Sequence, residues 1–284
     1  MKQYITQHKI WMICLIFWLP LKVWSHGDVH QRIEVLSSKI AYQAEIALLL
    51  ERAQLLRSDG DFRDALVDYK RVLRAKPNNV DALYYAAKSA LEVKQLTDAQ
   101  SWAERFFAQV KDPTNRASRA RAYQLFSDIY LAKGDSPKAL FYFRESMTLQ
   151  KNPDPDNWLR LADLELQQNG YDKALATLKL ALATSGTNIS IQQKMVAISI
   201  AQKDYKTAVH YLDLQLVKSK SLYKVMLLVR KSEVLLLAGN KVKSEAVKQK
   251  AAHLFQTLPG KKKNHPSAKL IKQYLRESLY KLSN

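Results

Sequence analysis

The sequence predicts an all-α fold, a solenoid of about six helical hairpins with a capping helix at each end. Three observations predict it. Residues 45–78 read as two short helices back to back: Leu49, Ala53 and Leu56 stripe the first, Ala65, Tyr69 and Val72 stripe the second, and Pro77 closes it. A small residue early in each second helix then recurs along the chain, as Ala65, Ala99, Ala139, Ala174, Ala208 and Ser244. The steps between these markers are 34, 40, 35, 34 and 36 residues. Finally, 284 residues contain only 7 Gly and 8 Pro, which suits helices joined by brief turns and leaves little for phosphate-cradling loops.

Taken in order, residues 1–25 stand apart from the fold. Lys2 and Lys9 give a positive start, residues 10–21 are non-polar, and Val23-Trp24-Ser25 fits a cleavage site. This is the anatomy of a secretory signal peptide. The alternative is an inner-membrane anchor over residues 10–24, but a spanning helix needs roughly 20 apolar residues and Pro20 and Lys22 interrupt this run. Cleavage would leave a chain beginning at His26, without the lone Cys14, as suits an oxidising compartment such as the periplasm.

Residues 26–43 hold a first helix. Val29, Ile33, Leu36 and Ile40 make one apolar stripe, as expected of a cap over the open end of an array. The array occupies residues 44–259. Its turns are GDFRDAL, GDSPKAL and NGYDKAL, and Gly60, Gly134, Gly170 and Gly239 are expected at the bends between helices. Ser136 is expected to cap a helix whose first residue is Pro137. Pro77, Pro113, Pro153 and Pro155 separate repeats, where they end helices. The step of 40 places six extra residues around 111–119, as a longer loop or a longer helix. Residues 260–284 are a basic linker and a final helix over 267–282, with Ala268, Ile271, Leu275 and Leu279 on one face.

The repeat resembles the tetratricopeptide repeat, whose pattern is W-x2-L-G-x2-Y, A-x3-F, P over about 34 residues. The first repeat matches at Leu49, Arg52, Ala53, Leu56, Ala65, Tyr69 and Pro77, and the second at Leu83, Ala86, Ala87, Ala90, Ala99 and Ala103. The third matches at Tyr123, Phe126, Ser127, Tyr130, Ala139 and Phe143. The fourth matches at Trp158, Leu161, Ala162, Ala174 and Leu178, with Glu165 where an aromatic is usual. The fifth (Gln192, Met195, Val196, Ala208, Leu212) and sixth (Leu228, Ser232, Leu235, Ser244) are worn. The resemblance implies that first helices line a binding groove. Leu50, Gln54, Tyr84, Lys88, Gln124, Asp128, Leu159, Asp163, Gln193 and Ala197 would face into it. Some relatives hold a peptide's C-terminal carboxylate with a Lys/Asn/Lys/Arg clamp. The corresponding places here carry Leu50, Gln54, Tyr85, Arg121 and Leu125, so that activity is not carried over.

Composition narrows the function. The motifs of phosphate-loop, zinc-protease, serine-hydrolase and dinucleotide chemistry are all missing from the sequence, and the carboxylates fall at spacings expected of solvated helix faces. The residues therefore point to a non-catalytic interaction protein. The net charge is +19, and residues 217–284 hold 16 Lys/Arg against Glu233, Glu245 and Glu277. A basic surface is expected from Lys241, Lys243, Lys248, Lys250, Lys261, Lys262, Lys263, Lys269, Lys272 and Arg276, toward an acidic protein or peptide or an anionic membrane surface. Nucleic acid in the cytoplasm is the alternative. It is disfavoured by the leader and by aromatics that read as helix packing, not as a stacking platform. A mature start at His26, with Asp28 and His30 close behind, would place an α-amine, two imidazoles and a carboxylate within five residues. Copper or zinc favours such donors, which gives a third reading as a metal-handling accessory protein. Against it stands a simpler account, in which Asp28 caps the first helix.

Overall fold

The computed structural model describes residues 23–276, with side chains from Asp28 onward. Fifteen helices and no strand are present among the described residues. They form an all-α solenoid of six hairpins, with flanking helices, in two compact units that divide between Leu149 and Gln150.

The first unit opens with α1 (Val23–Tyr42), which packs on α2 (Ile46–Asp59). Helix α2 pairs with α3 (Phe62–Ala75), α4 (Val80–Glu92) with α5 (Leu96–Val110), and α6 (Arg116–Ala132) with α7 (Ser136–Thr148). The stripe expected on α1 is buried where it meets the array: Leu36 and Ile40 are in the core and Ile33 packs on it. Asp28 lies inside α1, which begins at Val23, and so is not its cap. In the second unit α8 (Pro155–Leu166) pairs with α9 (Tyr171–Ser185), α10 (Ile189–Ala201) with α11 (Tyr205–Lys218), and α12 (Ser221–Leu237) with α13 (Lys241–Thr257). A one-turn helix, α14 (Gly260–Lys263), occupies the expected basic linker, and α15 (Pro266–Tyr274) packs on α12. The expected helix over 267–282 is thus assigned as far as Tyr274; residues 277–284 lie outside the described part.

Small residues stand where paired helices approach most closely. Ala53, Ala65, Ala87, Ala99, Ser127, Ala139, Ala162, Ala174, Ala208 and Ser232 are fully buried. The large side chains of Tyr69, Phe143 and Trp158 are buried as well. A hairpin cannot bury its apolar side alone, so each is stabilised by its neighbour. The sixth hairpin replaces the usual alanines with serines, and their hydroxyls satisfy one another across the helix pair. Ser232 Oγ donates to the Ser244 carbonyl at 3.1 Å, and Ser244 Oγ donates to the Ser232 carbonyl at 2.8 Å. The worn sequence therefore keeps both the small volume and full hydrogen bonding.

The turns inside the hairpins share one device. The first helices end on a left-handed residue: Gly60, Lys94, Gly134, Asn169, Lys203 and Gly239. The amide of the next residue bonds back across the end of the helix, as in Asp61 N–H to Leu56 C=O at 2.8 Å and Gln95 N–H to Ala90 C=O at 2.8 Å. This is the Schellman closure. Gly170 does not take the left-handed place; Asn169 does, with φ of 56°. Gly170 takes the next place, held by Asp61, Gln95, Asp135, Asp204 and Asn240 in the other turns, and its closing bond to Glu165 is 2.9 Å. A Cβ there would stand 2.8 Å from the Glu165 carbonyl oxygen.

Two further expectations are corrected, and of the two forms expected for the long step the helical one is found. The cap of α7 is Asp135, whose carboxylate accepts the Lys138 amide at 3.1 Å; Ser136 and Pro137 are already helical. The six extra residues of the long step lie mostly in helix: α5 has 15 residues against 14 in α3, and α6 has 17 against 13 in α4. Two carboxylates are not on solvated faces. Asp68 is fully buried and Glu165 is 4% exposed. Asp68 is held by Arg52, and Glu165 accepts the Thr177 hydroxyl at 2.7 Å.

Candidate functional site

The expected groove residues lie on first helices. Leu50 and Gln54 are on α2, Tyr84 and Lys88 on α4, and Gln124 and Asp128 on α6. In the second unit Leu159 and Asp163 are on α8, and Gln193 and Ala197 on α10. Gln54, Asp163, Gln193 and Ala197 are exposed and the others half-buried. Periodicity causes this placement. Each lies one position from a packing slot, so the helix turns it toward the edge of the buried face.

The first unit gathers several of these groups around Tyr84. The Arg121 guanidinium from α6 lies 4.0 Å from the Tyr84 ring centroid, and Lys88 Nζ lies 5.9 Å from it. The ring is supported behind by Phe106, at 5.2 Å between centroids, and by Tyr85, at 5.1 Å edge-on. Tyr85 in turn carries the Arg57 guanidinium at 4.8 Å. The result is an aromatic floor with cations over it, half-buried, spanning two successive first helices. Such contacts are worth about 0.5–1 kcal/mol each at exposed sites, so they position the cations without consuming their charge.

The second unit bridges its first helices by polar groups. Asp163 on α8 pairs with Lys194 on α10. Gln193 Nε2 on α10 donates to the Tyr223 hydroxyl on α12 at 3.2 Å, and that hydroxyl donates to Gln215 Oε1 on α11 at 3.1 Å. Beside this chain is a cavity of about 880 Å3 between α10, α11, α12 and α15. Val196, Leu212, Met226, Leu227, Leu270 and Ile271 give it apolar walls. Sequence reasoning did not find it, because it forms where the two worn repeats meet the final helix. One signal was present: Gln215 is a polar residue on the buried stripe of Ala208, Tyr211 and Leu212.

The basic residues stand on α13, α14 and α15 and just beyond. Lys241, Lys243, Lys250, Lys261, Lys262, Lys269, Lys272 and Arg276 are exposed. Lys248 lies over the Tyr274 ring at 5.3 Å, and Lys263 donates to the Gln256 carbonyl at 2.6 Å. No ion pair is seen for these ten cations among the described residues; nearby, Arg230 pairs with Glu233 at 3.1 Å and Lys231 with Asp213 at 2.5 Å.

Of the expected metal donors, Asp28 and His30 are on α1, while the side chain of His26 lies outside the described part. His30 Nδ1 stands 3.7 Å from an Asp59 carboxylate oxygen. Among the described residues no group of three His, Cys, Asp or Glu side chains is arranged to hold a metal ion, and no helix is long and apolar enough to cross a membrane.

Two tetratricopeptide-repeat family models match this chain, over residues 56–125 and 120–153. No curated protein matches by sequence. Among solved structures, a tetratricopeptide repeat protein from Parabacteroides merdae is similar with a TM-score of 0.52 at 16% identity, over 90% of this chain and 94% of that one. The pilF protein of Pseudomonas aeruginosa has a TM-score of 0.52 at 20% identity, over 72% of this chain and 90% of its own. BtubC from P. vanneervenii has a TM-score of 0.50 at 14% identity, over 70% and 89%. At these identities the likeness concerns the fold alone. Repeat register, helical architecture and family models agree, and the chain is a tetratricopeptide repeat protein, of the class that generally binds other proteins or peptides.

Proposed function

We propose that this chain is a non-catalytic scaffold of the periplasm that holds an acidic partner protein, using the first-helix face and the basic C-terminal surface together. The observation that carries the reading is the Tyr84 platform. It presents Arg121 and Lys88 beside an aromatic ring on successive first helices, where an extended segment of a partner would lie. Aromatic and arginine side chains are the usual anchors of protein interfaces. Leu50, Gln54, Gln124 and Asp128 of the same unit supply a mixed surround that suits a peptide backbone. The unpaired cations of α13 to α15 add long-range attraction for acidic surfaces, and an anionic membrane would meet the same charge.

The periplasmic address rests on the leader anatomy of residues 1–25, and N-terminal sequencing of the exported product should begin at His26. The interaction itself is tested by salt and charge. The Debye length is about 8 Å at physiological ionic strength, so the affinity of a partner recovered from a periplasmic extract should fall steeply as salt is added. Reversing Lys261, Lys262 and Lys263 to Glu should weaken it further. Indifference to both treatments would remove the basic surface from the reading. Intact mass retaining residues 1–25 in a membrane fraction would replace secretion by anchoring.

A further inference from the structure

We propose that the cavity between α10, α12 and α15 is a peptide-anchor site. In it a partner segment buries two or three apolar side chains, gives one backbone carbonyl to Gln215, and lays acidic flanks on the surrounding lysines. The proposal rests on the scaffold reading above and deepens it in the second unit, where the first-helix residues Gln193 and Ala197 line the cavity.

The first observation is the shape and chemistry of the cavity. Its volume of about 880 Å3 lies within the range of ligand sites. Met226 is 41% exposed and Leu270 75% exposed, so apolar surface remains open to solvent on walls contributed by α12 and α15. Exposed apolar surface gathered in one concavity gains free energy when a partner covers it.

The second observation is independent of the first. Gln215 lines the cavity and is only 5% exposed, yet its Nε2 has no hydrogen-bond partner. Its Oε1 is already taken by the Tyr223 hydroxyl, and Tyr223 in turn accepts from Gln193. The amide is therefore oriented by its oxygen, and both N–H donors of its NH2 group are unused. A buried unsatisfied donor costs free energy until an acceptor arrives. A carboxylate is a poor candidate at this depth, since burying a charge against a neutral amide leaves most of its desolvation cost in place. A neutral carbonyl suits it, and in an apolar peptide segment the backbone supplies one.

The third observation is charge. Residues 217–284 hold 16 Lys/Arg and 3 acidic residues. Arg230, at the cavity, is paired with Glu233, but Lys224 on α12 and Lys269 and Lys272 on α15 have no carboxylate partner among the described residues. An apolar segment with acidic flanks complements both the walls and their surroundings. A neutral lipid or an unflanked apolar peptide uses only the first.

The test is selection of a random ten-residue peptide display library on the full chain, followed by binding of the selected peptides to variants. Gln215→Leu keeps the side-chain size and removes the donor. Ala197→Trp fills the cavity from an exposed position of α10 and leaves the core untouched. The expected result is enrichment of peptides with apolar centres and acidic flanks. Their affinity should fall about tenfold in Gln215→Leu, the worth of one neutral hydrogen bond, and more than tenfold in Ala197→Trp. Circular dichroism of both variants should stay helical. Selected peptides that bind Ala197→Trp and Gln215→Leu as well as the parent, but lose binding in Tyr84→Ala, would overturn the cavity proposal and leave the first-helix reading intact. Failure to enrich any peptide would contradict both. Self-association of the parent that disappears in Ala197→Trp would make a second copy of this chain the occupant and overturn the partner assignment.

Discussion

Arg52 and Asp68 form a two-pronged ion pair inside the first hairpin: Nε to Oδ2 at 2.7 Å and Nη2 to Oδ1 at 2.8 Å. Asp68 is fully buried, and the remaining Arg52 amine donates to Ser37 on α1 at 2.9 Å. One side chain thus joins the flanking helix to both helices of the first hairpin. The hydrogen bonds it donates to Asp68 also hold the Arg52 guanidinium above its ordinary range. Breaking a buried pair from one side leaves the other charge stranded. Asp68→Ala should therefore destabilise the fold by roughly 3–5 kcal/mol. Urea denaturation checks this; a loss below about 1 kcal/mol would mean that Arg52 finds water when its partner is gone.

The left-handed turns give a prediction of opposite sign. Lys94 and Lys203 sit at φ of 61° and 60°, where a Cβ crowds the backbone. Replacing either by Gly should stabilise by about 0.5–1 kcal/mol, because the native conformation is costly only for a residue with a side chain. Gly170→Ala should destabilise instead, since its Cβ would meet the Glu165 carbonyl oxygen at 2.8 Å. Thermal melts of the three variants separate the two effects.

Acid should loosen the helix starts. The Asp204 carboxylate accepts from the side chain and the amide of Thr207, and these bonds hold it below the ordinary carboxylate range. A depressed folded pKa contributes stability that is fully present above the unfolded value, near 4, and is lost as pH falls through the folded value. Asp204→Asn keeps the capping oxygen and removes the titration. Its stability should therefore fall less between pH 5 and 2 than that of the parent, as read by denaturant midpoints.

Most of the architecture was legible because the repeat needs small residues at fixed places. Ala65, Ala99, Ala139 and Ala174 could be read as close-contact positions without any structure, and the helices pair about them. The turns were legible in position but not in detail. A left-handed residue is needed once per hairpin, yet Lys94, Asn169 and Lys203 supply it as well as Gly, so counting glycines placed Gly170 one residue off. Asp68 was misread because a carboxylate's surroundings come from other helices: Arg52 lies 16 positions away and the stripe pattern of α3 does not reveal it. The cavity was invisible for a similar reason. Its walls come from α10, α11, α12 and α15, and the one local mark, the polar Gln215 on the buried stripe of α11, does not by itself reveal a concavity.

The central claim is that a partner is held on the first-helix face, and site-specific photocrosslinking tests it most directly. Benzoylphenylalanine replaces either Tyr84 on α4 or Val67, which is 54% exposed on the second helix α3. Irradiation of each variant in a periplasmic extract should give a crosslinked partner band from position 84, lost when Arg121 and Lys88 are both changed to Glu, and little or none from position 67. Equal crosslinking from both positions, or a band from position 67 alone, would contradict the account.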